Sequence, residues 1–195
     1  MTIRNYCEAD EQGWLYCRLN SFFDSSYFND IKCKKEVYAK PSICLVAEEN
    51  GQIVGILDME LDSEELSCAK EERGAIVWHL GVLPQYRKKG VARVLWETAK
   101  SRMLEEGIHY CEIWTQEDTA ANKFYQSAGF KIEESQTWIR CYVQGKKCGE
   151  LMQTSFLEKI YGPEELIFDA PVALREEMEK ICYRIDEVRL YSGRF

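Results

Sequence analysis

The chain has 195 residues, 46% hydrophobic and 30% charged, with 4 Pro and 12 Gly, which is the composition of one folded domain and not of a disordered or fibrous chain. Its formal net charge of −8 leaves no overall basic field to draw phosphate backbones, so nucleic-acid partners are not expected and small or cationic ones are favoured. Its 9 cysteines are scattered, odd in number and never spaced Cys-x-x-Cys, which argues against a zinc site or disulfide framework and for reduced thiols in a cytoplasmic protein. Acids stand near the start where a secretory signal needs an apolar run, and no stretch of 18 apolar residues occurs, so neither export nor a membrane span is expected.

In chain order, Ile3 to Asn5 reads as a short strand, and Asp10 stands where it would cap a helix through Trp14, Leu15 and Leu19. The aromatic stretch with Phe22, Phe23, Tyr27 and Phe28 has little period, which suits either a packed connector or a pocket wall. Ser42 to Glu48 and Gln52 to Leu61 are rich in β-formers, and Glu49-Asn50-Gly51 between them marks a hairpin. Asp62 to Arg73 reads as an acid-rich loop. Ala75 to Val82 is nearly continuous apolar sequence, as a strand covered on both faces should be.

Pro84 ends that strand. From Lys88 to Glu106, Val91, Val94, Leu95, Ala99 and Met103 recur at helical spacing, and Gly107 occupies a left-handed C-terminal cap. Tyr110 to Thr115 follows as a strand, giving a parallel β-α-β unit with a right-handed crossover. Asp118 to Ala128 reads as a helix stopped by Gly129, and Phe130 to Ile132 as a strand pairing with Thr137 to Val143. Beyond Gly145 the pattern weakens to a short element at Glu164 to Phe168 and a helix from Leu174 to Ile185, whose Leu174, Met178, Ile181 and Ile185 form an apolar stripe for the protein's own core or a second subunit. The fold class expected is α+β: a central mixed, mostly antiparallel sheet with a parallel β-α-β core and flanking helices. Its domain spans residues 1–144, with residues 145–195 as an extension packed on it or at a homodimer interface.

The segment Arg87-Lys88-Lys89-Gly90-Val91-Ala92 lies between a central strand and a helix N-terminus. First-turn N–H groups there lack internal partners and carry about half a unit of positive charge, so they suit a phosphate. Gly90 and Ala92 keep bulk away, and three successive cations add a local field. A solvated basic turn is the plainer alternative. Neither G-x-x-x-x-G-K-[ST] nor a helix-opening G-x-G-x-x-G occurs, so ATP and NAD sites are not expected.

The run Leu80-Gly81-Val82-Leu83-Pro84-Gln85-Tyr86-Arg87-Lys88-Lys89-Gly90-Val91-Ala92 resembles the signature (Q/R)-x-x-G-x-(G/A) of the GNAT family of N-acetyltransferases, with Arg87, Gly90 and Ala92 in its fixed places. Further on, Asp118-Thr119-Ala120-Ala121-Asn122-Lys123-Phe124-Tyr125-Gln126-Ser127-Ala128-Gly129-Phe130 resembles that family's N-x-x-A-x-x-(F/L)-Y-x-x-x-G-F. The likeness runs over Ile3 to Val143 and is clear in Ile76 to Phe130.

The resemblance implies acetyl-CoA as co-substrate, with the backbone of Arg87, Lys88, Lys89, Gly90, Val91 and Ala92 cradling its pyrophosphate. It implies a pantetheine arm alongside Leu80 and Val82, and Tyr125 as the acid that protonates the leaving thiolate. Helical spacing puts Asp118, Ala121, Asn122 and Tyr125 on one face. The family has Asn where Asp118 stands, which leaves Asp118 as a helix cap and Asn122 as the residue making cofactor contacts. A lysine-like ammonium, with a pKa of about 10.4, must lose a proton to attack. His79 is the first candidate base and equally a buried structural histidine; Glu60 is second and a water relay third.

The activity implied is transfer of the acetyl group to a primary amine in a ternary complex, without metal. A small cationic acceptor, polyamine- or aminoglycoside-like, is expected from the acidic loops at Glu64-Glu65 and Glu71-Glu72, which are equally read as solvated charges. A protein N-terminus or lysine is the alternative acceptor, and a non-catalytic acyl-CoA sensor the alternative function.

Overall fold

The computed structural model describes residues 1–69, 72–151 and 164–195. Its strands are β1 (Thr2–Asn5), β2 (Ser42–Glu49), β3 (Gln52–Leu61), β4 (Gly74–Val82), β5 (Tyr110–Thr115), β6 (Lys131–Gln144), β7 (Glu165–Pro171) and β8 (Arg184–Arg194). They form one eight-stranded sheet in the order β1-β2-β3-β4-β5-β8-β6-β7. Only β4 and β5 run parallel; the other neighbours are antiparallel. The α+β class, the mixed sheet and the parallel β-α-β unit therefore hold.

The helices are α1 (Glu11–Phe22), α2 (Val91–Glu105), α3 (Thr119–Ser127), α4 (Lys146–Leu151) and α5 (Arg175–Met178). Two glycines show how α1 and α2 sandwich the sheet. A Cβ on Gly55 would press on Val91 and Leu95 of α2, whereas one on Gly81, whose partner is Ile56, would strike Ser21 and Phe22 of α1. Neighbouring strand residues face opposite ways, so the helices cover opposite faces. Leu95, Trp96, Ala99 and Met103 of α2 are fully buried, while Val94, counted in the same apolar stripe from its spacing, is exposed.

Local chemistry explains the turns. Asn50 and Gly51 take φ of 52° and 76° in the β2-β3 hairpin, and Gly107 takes 72° after α2. Asp10 precedes α1 without capping it: its carboxylate instead receives Arg4 at 2.6 and 2.8 Å and the Cys7 N–H at 2.8 Å.

The end of the chain departs from its sequence reading. Residues 184–194, of which only the first two fell in the expected helix and the rest had no assignment, form β8, inserted between β5 and β6. Only Arg175–Met178 is helical in the segment expected to be one long helix. Lys131–Gln144 is one strand with a register irregularity, not a hairpin; its Ile132 and Thr137 pair with Tyr191 and Arg189 of β8. The stretch after Gln144 thus contributes strands to the same sheet as residues 1–144.

Candidate active site

Strands β4 and β5 pair only from Gly74↔Tyr110 to Val77↔Ile113. Trp78 and Trp114 are the first residues beyond that pairing, and from there the strands part. A β-bulge accompanies the parting, because Asp58 of β3 faces His79 while Met59 faces Val77, so that Trp78 has no partner of its own. A cleft of 1340 Å³ passes through the gap, reaching from the α2 N-terminus to Trp138 and Val188.

At the α2 end, Gly90 holds φ of +83° and opens the helix, with its carbonyl receiving the Val94 N–H at 3.0 Å. The Val91, Ala92 and Arg93 amides are first-turn donors with no acceptor inside a helix. A Cβ on Gly90 would meet nothing within 4 Å, so the glycine is required by backbone conformation and leaves open space over those donors. Lys88, itself at φ of 60°, and Lys89 are exposed beside it, and Lys89 lies 5.1 Å from the Tyr86 ring centre. Open first-turn donors and two exposed cations make this end of the cleft electropositive, which suits an anion.

Arg87 differs from the other loop cations. Its guanidinium donates to both Asp24 oxygens at 2.7 and 2.8 Å, to the Ser21 carbonyl at 2.9 Å and, through Nε, to the Val82 carbonyl at 3.2 Å. The side chain is spent on holding the end of α1 against the loop. The Arg87 N–H is also taken, donating to the Pro84 carbonyl at 3.2 Å, and the Val82 carbonyl already has a donor. Gly81 is likewise explained by the close approach of Ser21 and Phe22. Leu80 and Val82 line the cleft as half-buried residues.

On the opposite wall, Asp118 caps α3, accepting the Ala120 and Ala121 N–H groups at 2.8 and 2.9 Å. Tyr125 is 7% exposed, packs against Phe130 and Tyr191, and lines the cleft. Burial, with the nearby charge of Asp118 and other groups adding to it, pushes its hydroxyl well above the ordinary tyrosine range, so it stays protonated at neutral pH. Asn122 is turned away from the cleft. Its amide donates to the Gln116 and Asp118 carbonyls and accepts the Tyr191 hydroxyl at 2.8 Å, so both its donors go to the start of α3 and its oxygen ties that helix to β8.

His79 is 7% exposed and sits edge-on to Trp14 at 5.3 Å. Arg18 Nε donates to its Nδ1 at 3.2 Å, which assigns the ring proton to Nε2, 3.1 Å from Glu36. The contact extends into a closed circuit: Arg18 holds Asp30 at 2.7 Å, and Lys32 bridges Asp30 at 3.3 Å and Glu36 at 3.0 Å. Burial would raise the Glu36 carboxyl, but His79 and Lys32 outweigh it and hold it at about 2. Both imidazole nitrogens are therefore engaged, and the only lone pair a base could use already accepts from Arg18. Glu60 is similarly occupied, by the Ser63 hydroxyl at 2.7 Å, the Lys40 N–H at 3.0 Å and the Trp78 indole at 3.2 Å.

The unpatterned aromatic stretch, read as either connector or pocket wall, supplies a wall: Tyr27 accepts the Gln116 N–H at 2.8 Å and lines the cleft with Phe22. Trp114 and Trp138, which the sequence reading missed, pack with ring centres 4.4 Å apart and planes tilted by 42°. Their pairing depends on β8, which separates β5 from β6 and has no signature of its own.

The match to a family model is now interpretable: residues 6–130 match that of the acetyltransferase (GNAT) family. The chain belongs to this family. Comparison with curated proteins finds no match. Solved structures of the same fold include the ribosomal-protein-S18-alanine N-acetyltransferase of Escherichia coli, at 12% identity and TM-score 0.55 over 99% of this chain and 92% of that one. An aminoglycoside 6'-N-acetyltransferase of Acinetobacter haemolyticus aligns at 21% identity and TM-score 0.53 over 67% and 91%. A GNAT family acetyltransferase of Elizabethkingia anophelis with acetyl-CoA bound aligns at 11% identity and TM-score 0.53 over 100% and 97%.

Proposed function

We propose that the protein is an acetyl-CoA-dependent N-acetyltransferase acting on a primary amine. One observation carries this reading: a buried, protonated Tyr125 and an open helix N-terminus at Gly90 line the same cleft. The Val91, Ala92 and Arg93 amides, with Lys88 and Lys89, would hold the pyrophosphate, and the parted edge of β4 at Leu80 and Val82 would take the pantetheine arm. Acetyl-CoA supplies an activated acyl group. As the amine nitrogen bonds to the acyl carbon the C–S bond breaks, one proton leaves the amine, and Tyr125 gives one to the departing sulfur. A tyrosine in the lining of the cleft favours turnover over a purely sensing role.

With His79 and Glu60 both engaged, the amine proton leaves through water. Of the acids expected to flank a cationic acceptor, Glu64 is paired with Lys40 at 2.8 Å and Glu72 with Arg194, while Glu65 is exposed; Glu71 lies outside the described residues. Protein and small-molecule amines both belong in the test panel. All 9 cysteines are free, and among the described residues no helix is long and apolar enough to cross a membrane. The test is thiol release from acetyl-CoA against amines, with Tyr125→Phe as control. Release with some amine that the variant suppresses supports the reading, and tight acetyl-CoA binding without any release would favour a sensor.

A further inference from the structure

We infer that the acceptor amine is carried on a flat aromatic body, received by Trp114 and Trp138 on the α1 face of the sheet. This deepens the proposed transferase reading and rests on it. The strand registers place the residues. Trp114 shares its face with Glu112, whose partner is Ile76; Ile76 faces Glu60, and Glu60 shares its face with Asp58, the partner of His79. His79 touches Trp14 and Arg18 of α1. Trp138, opposite Val188, lies on that same face, because Val188 and Leu190 alternate together and Leu190 faces Trp114.

Helix α1 packs on β3 and β4, so the β5-β8-β6 part of this face is left to the connector, whose Tyr27 reaches Gln116. Between them lies the acceptor half of the cleft, lined by Trp78, Trp114, Trp138, Val188, Ile76 and Tyr27. Trp78 is 39% exposed, and it and Trp114 flank the point where β4 and β5 part. An indole pair there offers a broad apolar surface continuous with the thioester slot, suited to an aromatic ring.

Charge argues the same way. Asp30 is paired with Arg18 and Lys32 and Glu36 with His79 and Lys32, while Glu60, held by three uncharged donors, keeps one negative charge in this half for a single amine. Arg18, 3% exposed, keeps Nη1 buried without an acceptor. A second ammonium on the acceptor would have only the exposed Glu65 at the rim. One amine on an aromatic body fits and a polycation does not.

The test is thiol release from acetyl-CoA with 2-phenylethylamine, hexylamine, spermidine and kanamycin, on wild type, Trp114→Leu and Trp138→Leu, with calorimetric acetyl-CoA affinity as the fold control. Phenylethylamine is expected to give the highest kcat/KM, and each variant to raise its KM about tenfold with acetyl-CoA affinity unchanged. A preference for spermidine or kanamycin, or an unchanged KM in both variants, overturns the inference while leaving the transferase standing. It is also overturned if the variants alter KM for hexanoyl-CoA and not for the amine, because the indoles then face the acyl chain. Release with none of the amines counts against the transferase reading itself and removes this inference with it.

Discussion

Arg87 grips both carboxylate oxygens of Asp24, at 2.7 and 2.8 Å, across 63 residues of chain. The pair ties the segment after α1 to the phosphate loop, and it makes Arg87 a strut and not an anion ligand. Asp24→Asn and Arg87→Ala are therefore expected to weaken acetyl-CoA binding by similar, several-fold factors, and the double variant to be little worse than either single one. Calorimetry on the four proteins checks this. An Arg87 that bound phosphate directly would be freed by Asp24→Asn, and affinity would rise.

Tyr125→Phe removes one hydroxyl from a side chain otherwise held by Phe130 and Tyr191. If that hydroxyl protonates the leaving sulfur, kcat falls about a hundredfold or more, while acetyl-CoA affinity and melting temperature stay near wild type. Steady-state kinetics with a thiol reagent reads the first, and calorimetry and thermal melts the others.

The engaged ring of His79 predicts a pH profile. With no histidine lone pair free, kcat/KM should rise tenfold per pH unit toward the acceptor amine's own pKa, about 10 for an alkylamine. His79→Gln should lower the rate without changing that slope. A plateau near neutral pH in wild type, lost in the variant, would make His79 the base after all.

Asp10 predicts an acid limb in stability. The hydrogen bonds from Arg4, opposed by burial and aided by the Cys7 N–H, hold its carboxyl well below the ordinary carboxylate range. A pKa lower in the folded than in the unfolded chain stabilises above the unfolded value, about 4, and that contribution drains away as pH falls through the folded one. Melting temperature should thus fall progressively once pH drops below about 5 and keep falling past the unfolded value of about 4 toward the lower folded one, and Asp10→Asn should flatten the drop.

Tyr191 couples the last strand to the site. It is fully buried, lies 5.6 Å from Tyr125 between ring centres and donates to Asn122 at 2.8 Å. Tyr191→Phe leaves the Asn122 carbonyl unpaired and should cost about 1–2 kcal/mol, read from urea unfolding. Deleting residues 184–195 should abolish the folded protein, because it withdraws a strand from the interior of the sheet.

What the sequence revealed was local. The glycine at the α2 N-terminus, the Asn50-Gly51 turn and the Asp118 cap each follow from a few adjacent residues whose backbone demands are chemical, and all stand in the structure. What escaped was non-local. Leu174, Met178, Ile181 and Ile185 mimic a helical stripe by spacing, yet β8 forms from Arg184 on because the gap between β5 and β6 offers unpaired backbone on both sides. The same strand brings Trp138 beside Trp114, so the acceptor wall was not readable either. The circuit binding His79 draws on α1 and the connector, and no spacing in β4 announces it.

The most direct test of the central claim is calorimetric titration of acetyl-CoA into wild type and Gly90→Val. Gly90 sits at φ of +83° beside open space, so valine disturbs the cradle's backbone without filling a packed core. The account predicts one acetyl-CoA bound per wild-type chain and binding at least tenfold weaker in the variant. An absence of binding to wild type, or equal affinity in a folded Gly90→Val, would contradict it.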